Sequence, residues 1–244
     1  MLKIFPDGES LNVYAAEKIV ETAKQSIEKR GQFTIALAGG STPKSLYQLL
    51  SSDDFKKRID WSKTFFFFGD ERDVLPDNAE SNFRMADENL FALLNIAEAN
   101  VFRWQTELSD AEEIAEKYAG AVKNFFVLAG NKLPRFDLIL LGMGNDGHTA
   151  SLFPNTEALN EREKIAVANL VEKLNTTRLT FTFPAINNAR NIFFLVKGAD
   201  KGEALKTVLE GKFQPGKFPA QAVKPTNGEL FWLVDGEAAA LLDR

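Results

Sequence analysis

Apolar residues recur along this chain in two rhythms. In residues 10–30, Val13, Ala16, Val20, Ala23 and Ile27 fall at alternating spacings of three and four. That spacing predicts a helix, with Ser10 as its N-cap and Gly31 as its stop. The next runs are short and continuously apolar. Residues 33–38, 64–68 and 136–141 read as buried strands, and residues 165–171, 179–183, 192–196 and 230–234 as further strands. Helical patterning covers residues 44–50, 81–94, 110–129, 201–209 and 237–242, the helix at 110 opening with acidic residues that suit its dipole.

Buried strands alternating with helices predict an α/β fold, a mainly parallel sheet flanked by helices on both faces and Rossmann-like in outline. No repeat or linker divides the chain, so residues 1–244 read as one domain, with residues 211–228, rich in proline and glycine, as a surface loop. Four of the predicted strands run into polar segments: residues 39–43, 69–73, 142–148 and 197–201. In an open parallel sheet such segments collect at the carboxyl edge, where ligands bind.

Composition narrows the chemistry. The 244 residues carry a formal net charge of −5, which argues against a general nucleic-acid binder. There is no cysteine, which excludes thiolate metal sites and thiol nucleophiles, and a single histidine excludes a three-histidine metal site. No stretch approaches ~18 consecutive apolar residues, so no membrane partner is expected. The first residues, Met1-Leu2-Lys3-Ile4-Phe5-Pro6, show no apolar segment of signal length, and the expected location is the cytosol. The oligomeric state is open between a monomer and a small homo-oligomer.

The segment Gly39-Gly40-Ser41-Thr42-Pro43 joins a strand to a helix. Its glycines admit close backbone approach, and the N–H groups of a helix N-terminus form an anion site. A plain capped turn would look the same. Asp70 and Arg72 stand at the next strand end, where Arg72 suits a phosphate or oxyanion and Asp70 a ligand hydroxyl; a solvated salt bridge is the competing reading. Gly142-x-Gly144-x-x-Gly147 matches a dinucleotide fingerprint in letters only. Pro154 interrupts any helix early, and Glu161 and Glu163 precede the next strand instead of ending it. His148 follows immediately. An imidazole is the side chain intrinsically suited to general-base work near neutral pH, with Asp146 two residues earlier as a partner for the ring. Lys201 at a helix start suits a phosphate as a point charge, and Arg178 is a second candidate cation.

Taken in order, Ala38-Gly39-Gly40-Ser41-Thr42-Pro43, Gly69-Asp70-Glu71-Arg72 and the segment Gly142 to Pro154 resemble the 6-phosphogluconolactonase family, as do Ser81-Asn82-Phe83-Arg84 and Val196 to Lys201. The resemblance implies hydrolysis of 6-phospho-D-glucono-1,5-lactone to 6-phosphogluconate in the oxidative pentose phosphate pathway, with no cofactor and no metal. It implies a fold shared with glucosamine-6-phosphate deaminases. It also implies that His148 is the base, and that Arg72, Lys201 and the loop Gly40, Ser41 and Thr42 hold the phosphate of a small sugar-phosphate lactone. The related deaminases carry a glutamate five residues after this histidine; here the position is Phe153. That departure favours a lactonase over a deaminase or isomerase. A non-catalytic sugar-phosphate sensor is the third reading.

Overall fold

The computed structural model describes residues 1–243. β1 (Leu2–Phe5) leads into α1 (Gly8–Arg30), β2 (Phe33–Leu37) into α2 (Ser41–Leu50), and β3 (Thr64–Phe68) almost directly into β4 (Asp70–Arg72). Next come α3 (Asn82–Ala86), a wider π turn (Asp87–Phe91), α4 (Ala92–Leu94), α5 (Ala111–Phe125) and β5 (Leu138–Leu141). β6 (Ala166–Val171) and β7 (Thr176–Phe181) form a hairpin, followed by α6 (Phe183–Asn187), β8 (Asn191–Val196), α7 (Gly202–Glu210) and β9 (Glu229–Asp235).

Six strands form one sheet in the order β1-β9-β8-β5-β2-β3, and every neighbouring pair is parallel. Every residue of β2 and β5 is buried, so both faces of the sheet centre are covered. This is the mainly parallel α/β fold that the continuous apolar runs predict. The chain steps from β2 to β3 on one side and later returns to place β5 on the other side of β2. The strand order therefore reverses between β2 and β5, which opens a crevice beyond their carboxyl ends.

Two expected strands lie outside this sheet. β6 and β7 pair antiparallel, and β4 joins them in a second sheet of order β4-β7-β6. β4 itself is the segment read as a polar strand end. At Gly69 the chain leaves one sheet for the other: its N–H donates to Leu37 (2.9 Å), while its carbonyl accepts from Phe181 (2.8 Å). The edge strand β1 has no run long enough to announce itself and exists through its parallel pairing with β9.

Helix ends also differ from expectation. Asp7, not Ser10, caps α1, its carboxylate accepting from the Ser10 N–H at 2.7 Å; Val13 lies off the buried face. Gly31 does stop that helix, in the left-handed region at φ 76°. α5 ends at Phe125, and Val127 turns away at φ 50°. Phe183 starts α6 instead of ending a strand, because Pro184 fits the first helical turn. Residues 237–242 form turns rather than a helix, organised by Asp235, whose carboxylate accepts from the Ala238 N–H (2.9 Å).

Candidate active site

Because β2, β3, β5 and β8 are parallel, the four polar strand ends do gather at one edge. There they surround a cavity of about 650 Å³ with the second sheet as its far wall. Gly40, Asp70, Arg72, Asp146, His148, Arg178 and Lys201 all line it. Ser41 and Thr42 begin α2 just beyond Gly40 and are not part of the lining.

Two tyrosines fix the strand ends that form the cavity floor. The Tyr47 hydroxyl donates to the Ala38 carbonyl (2.8 Å) and accepts from the Ala38 N–H (3.0 Å). Tyr118 does the same for Phe68, at 2.9 and 2.8 Å. Burial pushes both phenols above their ordinary range, so they are permanent neutral donors. They satisfy backbone groups where the sheet ladder stops.

The loop after β5 holds the imidazole. No helix opens at Gly147, and the first helical turn after it is the short 3-10 turn Glu157–Asn160, so the dinucleotide pattern is a coincidence of spelling. The loop closes on itself: Gly144 N–H donates to the His148 carbonyl (2.9 Å), and Gly147 N–H to the Gly144 carbonyl (3.0 Å). Gly147 adopts φ 75°, a conformation that side chains disfavour. At Gly144 a Cβ would lie 2.1 Å from His148 Cε1 and Nδ1, so the ring rests against bare backbone. The ring also stacks on Phe153, centroids 4.1 Å apart.

His148 Nδ1 is 2.6 Å from Asp146 Oδ1. With Nδ1 turned to a carboxylate, Nε2 is the nitrogen left for the cavity. The second oxygen, Oδ2, meets Lys173 Nζ at 2.5 Å. The hydrogen bond from His148, helped by Lys173, holds the Asp146 carboxyl far below its usual range, so it is ionised at any working pH.

The cations lie across the cavity. Arg72 and Arg178 are direct cross-strand partners in the β4–β7 pair. Like charges placed so cost roughly 0.2–1 kcal/mol when nothing neutralises them. Burial, and then the charge of Arg72, push the Arg178 guanidinium below its ordinary value. Arg72 donates to the Glu80 carbonyl and Arg178 Nη1 to Thr176 Oγ1 (3.2 Å); neither forms an ion pair among the described residues. Lys201 contacts Asn145 Oδ1 and lies 3.2 Å from Asp200.

Four contributors escape a reading of the sequence. Buried Glu71 accepts backbone N–H bonds from Arg72 (2.8 Å), Asn82 (2.7 Å) and Phe83 (2.8 Å), tying β4 to the start of α3. Asn82 lines the cavity and donates to the Asp70 carbonyl (3.0 Å), and a Cβ on Gly39 would collide with its side chain at 1.9 Å. Ser151 Oγ donates to Asp70 Oδ2 (2.7 Å). Lys173 arrives from the β6–β7 turn. Glu71, Asn82 and Ser151 lie inside segments that carry the family likeness, though no role was read for them, and nothing local marks Lys173.

The reversal point of the parallel sheet thus holds an imidazole–carboxylate pair facing two cross-strand arginines that have no ion-pair partner among the described residues, an arrangement able to hold a small anion beside an acid–base pair. The model of the glucosamine-6-phosphate isomerases/6-phosphogluconolactonase family matches residues 6–232, and the chain belongs to that family. A 6-phosphogluconolactonase of Synechocystis sp. is 44% identical over 215 residues, covering 88% of this chain and 86% of that one. One from Nostoc sp. is 38% identical over 242 residues, covering 99% and 98%. The solved structure of 6-phosphogluconolactonase from Trypanosoma cruzi superposes with a TM-score of 0.87 at 29% identity, covering 100% of this chain and 97% of its own. Among the described residues no helix is long and apolar enough to cross a membrane, and no cluster of three or more acidic or histidine side chains could hold a metal ion.

Proposed function

We propose that this chain hydrolyses 6-phospho-D-glucono-1,5-lactone to 6-phosphogluconate, with His148 as the general base. The observation that carries this reading is the Asp146–His148 pair opening onto the same cavity as Arg72, Arg178 and Lys201. The lactonase relatives, similar over nearly the whole chain, supply the substrate.

In this mechanism the phosphate sits between Arg72 and Arg178, with Lys201 and the Gly40 turn completing its cradle. It relieves the repulsion of the two guanidinium groups, and that binding energy orients the lactone carbonyl. His148 Nε2 takes a proton from water as the hydroxide oxygen bonds to the lactone carbon. The charge moves to the carbonyl oxygen. Gly144, Gly147 and His148 have spent their N–H groups inside the loop, so the oxyanion donors are drawn from the loop's other N–H groups, those of Asn145 and Asp146 among them. Collapse breaks the bond to the ring oxygen, which takes the proton from the imidazolium. The new carboxylic acid then loses its own proton to solvent. Asp146 stays ionised throughout, holding the ring tautomer and stabilising the transient imidazolium, and Asp70, fixed by Ser151, faces the substrate hydroxyls.

Phe153 separates this from deamination. Where the deaminases carry an acid, this chain stacks an apolar ring on the imidazole, which offers no second proton carrier. The test is a coupled assay with freshly prepared lactone, corrected for spontaneous opening. His148→Ala is expected to lose at least 10²-fold in kcat, the usual scale for a general base, while remaining folded by circular dichroism. A kcat equal to the parent's would overturn the base, and release of ammonia from glucosamine 6-phosphate would overturn the reaction.

A further inference from the structure

Lys173 belongs to none of the polar strand ends. It stands in the short turn Glu172–Leu174 between β6 and β7, with a side chain 64% exposed. A lysine so placed is ordinarily a solvated surface charge. Here its ammonium reaches across to the oxygen of Asp146 that His148 does not use. Asp146 is thus shared: Oδ1 takes the imidazole and the His148 backbone N–H, and Oδ2 takes Lys173. Lys173 and Asp146 also line a second cavity, of about 580 Å³, so their ion pair forms part of the partition between the two spaces.

A carboxylate bonded to an imidazole does two things at once. It fixes the tautomer, which a general base needs, and it favours the imidazolium, which a general base must avoid at rest. An ammonium on the same carboxylate offsets the second effect, and its own charge adds repulsion of the imidazolium. We propose that Lys173 is a positioning residue that lets Asp146 orient His148 without drawing a proton onto the ring near neutral pH. The proposal deepens the reading of His148 as base and rests on it.

Other charges act on the same ring. Arg72, Arg178 and Lys201 face it from the cavity and also disfavour the imidazolium, while Asp70 opposes them. From the second cavity come Glu157, Glu172 and Lys217. None of these charges is bonded to Asp146, whereas Lys173 is.

His148 is the only histidine, so its imidazole resonances titrate without overlap in an NMR experiment on the whole chain. Lys173→Met is expected to raise the titration midpoint by about half a unit to one unit, and Lys173→Arg to restore it. A midpoint in Lys173→Met equal to the parent's overturns the proposal. The pH profile of kcat/KM supplies the second readout. Its acid limb should move up by the same amount, so that activity falls about three- to tenfold on the acid side while the plateau holds. If the ring's midpoint moves and the acid limb does not, Lys173 tunes the ring as proposed and the base assignment is what fails. A raised KM with an unmoved midpoint would make Lys173 a substrate contact and overturn the proposal.

Discussion

Single atoms decide the position of the imidazole. Gly144 leaves room for the ring, and Phe153 stacks against it. Gly144→Ala is expected to lower kcat on the order of 10²-fold with little change in unfolding midpoint, because a Cβ there displaces the ring by about an ångström; steady-state kinetics beside a urea titration checks both halves. Asp146 carries the pH dependence. Its carboxyl is held below the usual value chiefly by the His148 hydrogen bond, so the stabilisation it gives is fully present above about pH 4 and is lost as pH falls through the lower folded-state value. The difference in urea midpoint between parent and Asp146→Ala should therefore be largest above pH 4 and shrink in stronger acid. His148 and Asp146 were legible as a pair because they are two residues apart in one loop. Lys173 was not, because its 27-residue separation from Asp146 is closed only by the β6–β7 hairpin.

Elements carry the next layer, and the β4–β7 pair is the telling one. Its register sets Arg72 opposite Arg178, an arrangement that lowers stability unless an anion intervenes. Arg178→Met is expected to leave the ligand-free protein as stable as the parent, or up to about 1 kcal/mol more stable. The same variant should raise KM for the lactone at least tenfold and abolish thermal stabilisation by 6-phosphogluconate; melting curves with and without that compound measure both effects. Glu71 locks the same strand to α3 through three backbone N–H groups, which fixes where Arg72 emerges. The sequence marked Arg72 and Arg178 separately as cations. Their mutual placement follows from antiparallel pairing, which no spacing in the chain encodes, and the segment 69–72 read as a polar strand end and not a strand of its own because three polar residues carry no strand rhythm.

At the scale of the molecule, the two sheets share one hydrophobic core. Trp104 joins them: it stacks on Tyr118 of α5 with centroids 3.9 Å apart, lies 6.2 Å from Phe181 of the small sheet, and donates to Phe68 of the large one. Buried residues of both sheets form a single continuous cluster. Unfolding in urea is accordingly expected to be one transition, with tryptophan fluorescence and far-ultraviolet circular dichroism superimposing. Separate midpoints would mean that the β4-β7-β6 sheet melts by itself and that the chain is not the single domain expected from its sequence.

The sequence by itself determined the class of fold and the location of most candidate chemistry. Continuous apolar runs specify strands buried on both faces, and a parallel sheet delivers its strand ends to one edge. His148, Asp146, Arg72, Gly40 and Lys201 were within reach of that logic, since each stands at or just beyond a strand end. Only the tertiary structure decided which strands left the parallel sheet, and so which side chains met. β6 and β7 had the same apolar look as the core strands. Their antiparallel pairing with each other, and that of β7 with the three polar residues of β4, built the far wall of the cavity, set Arg178 against Arg72 and carried Lys173 to Asp146. Burial pattern is local information, whereas pairing partner and register are fixed by contacts between residues far apart in the chain.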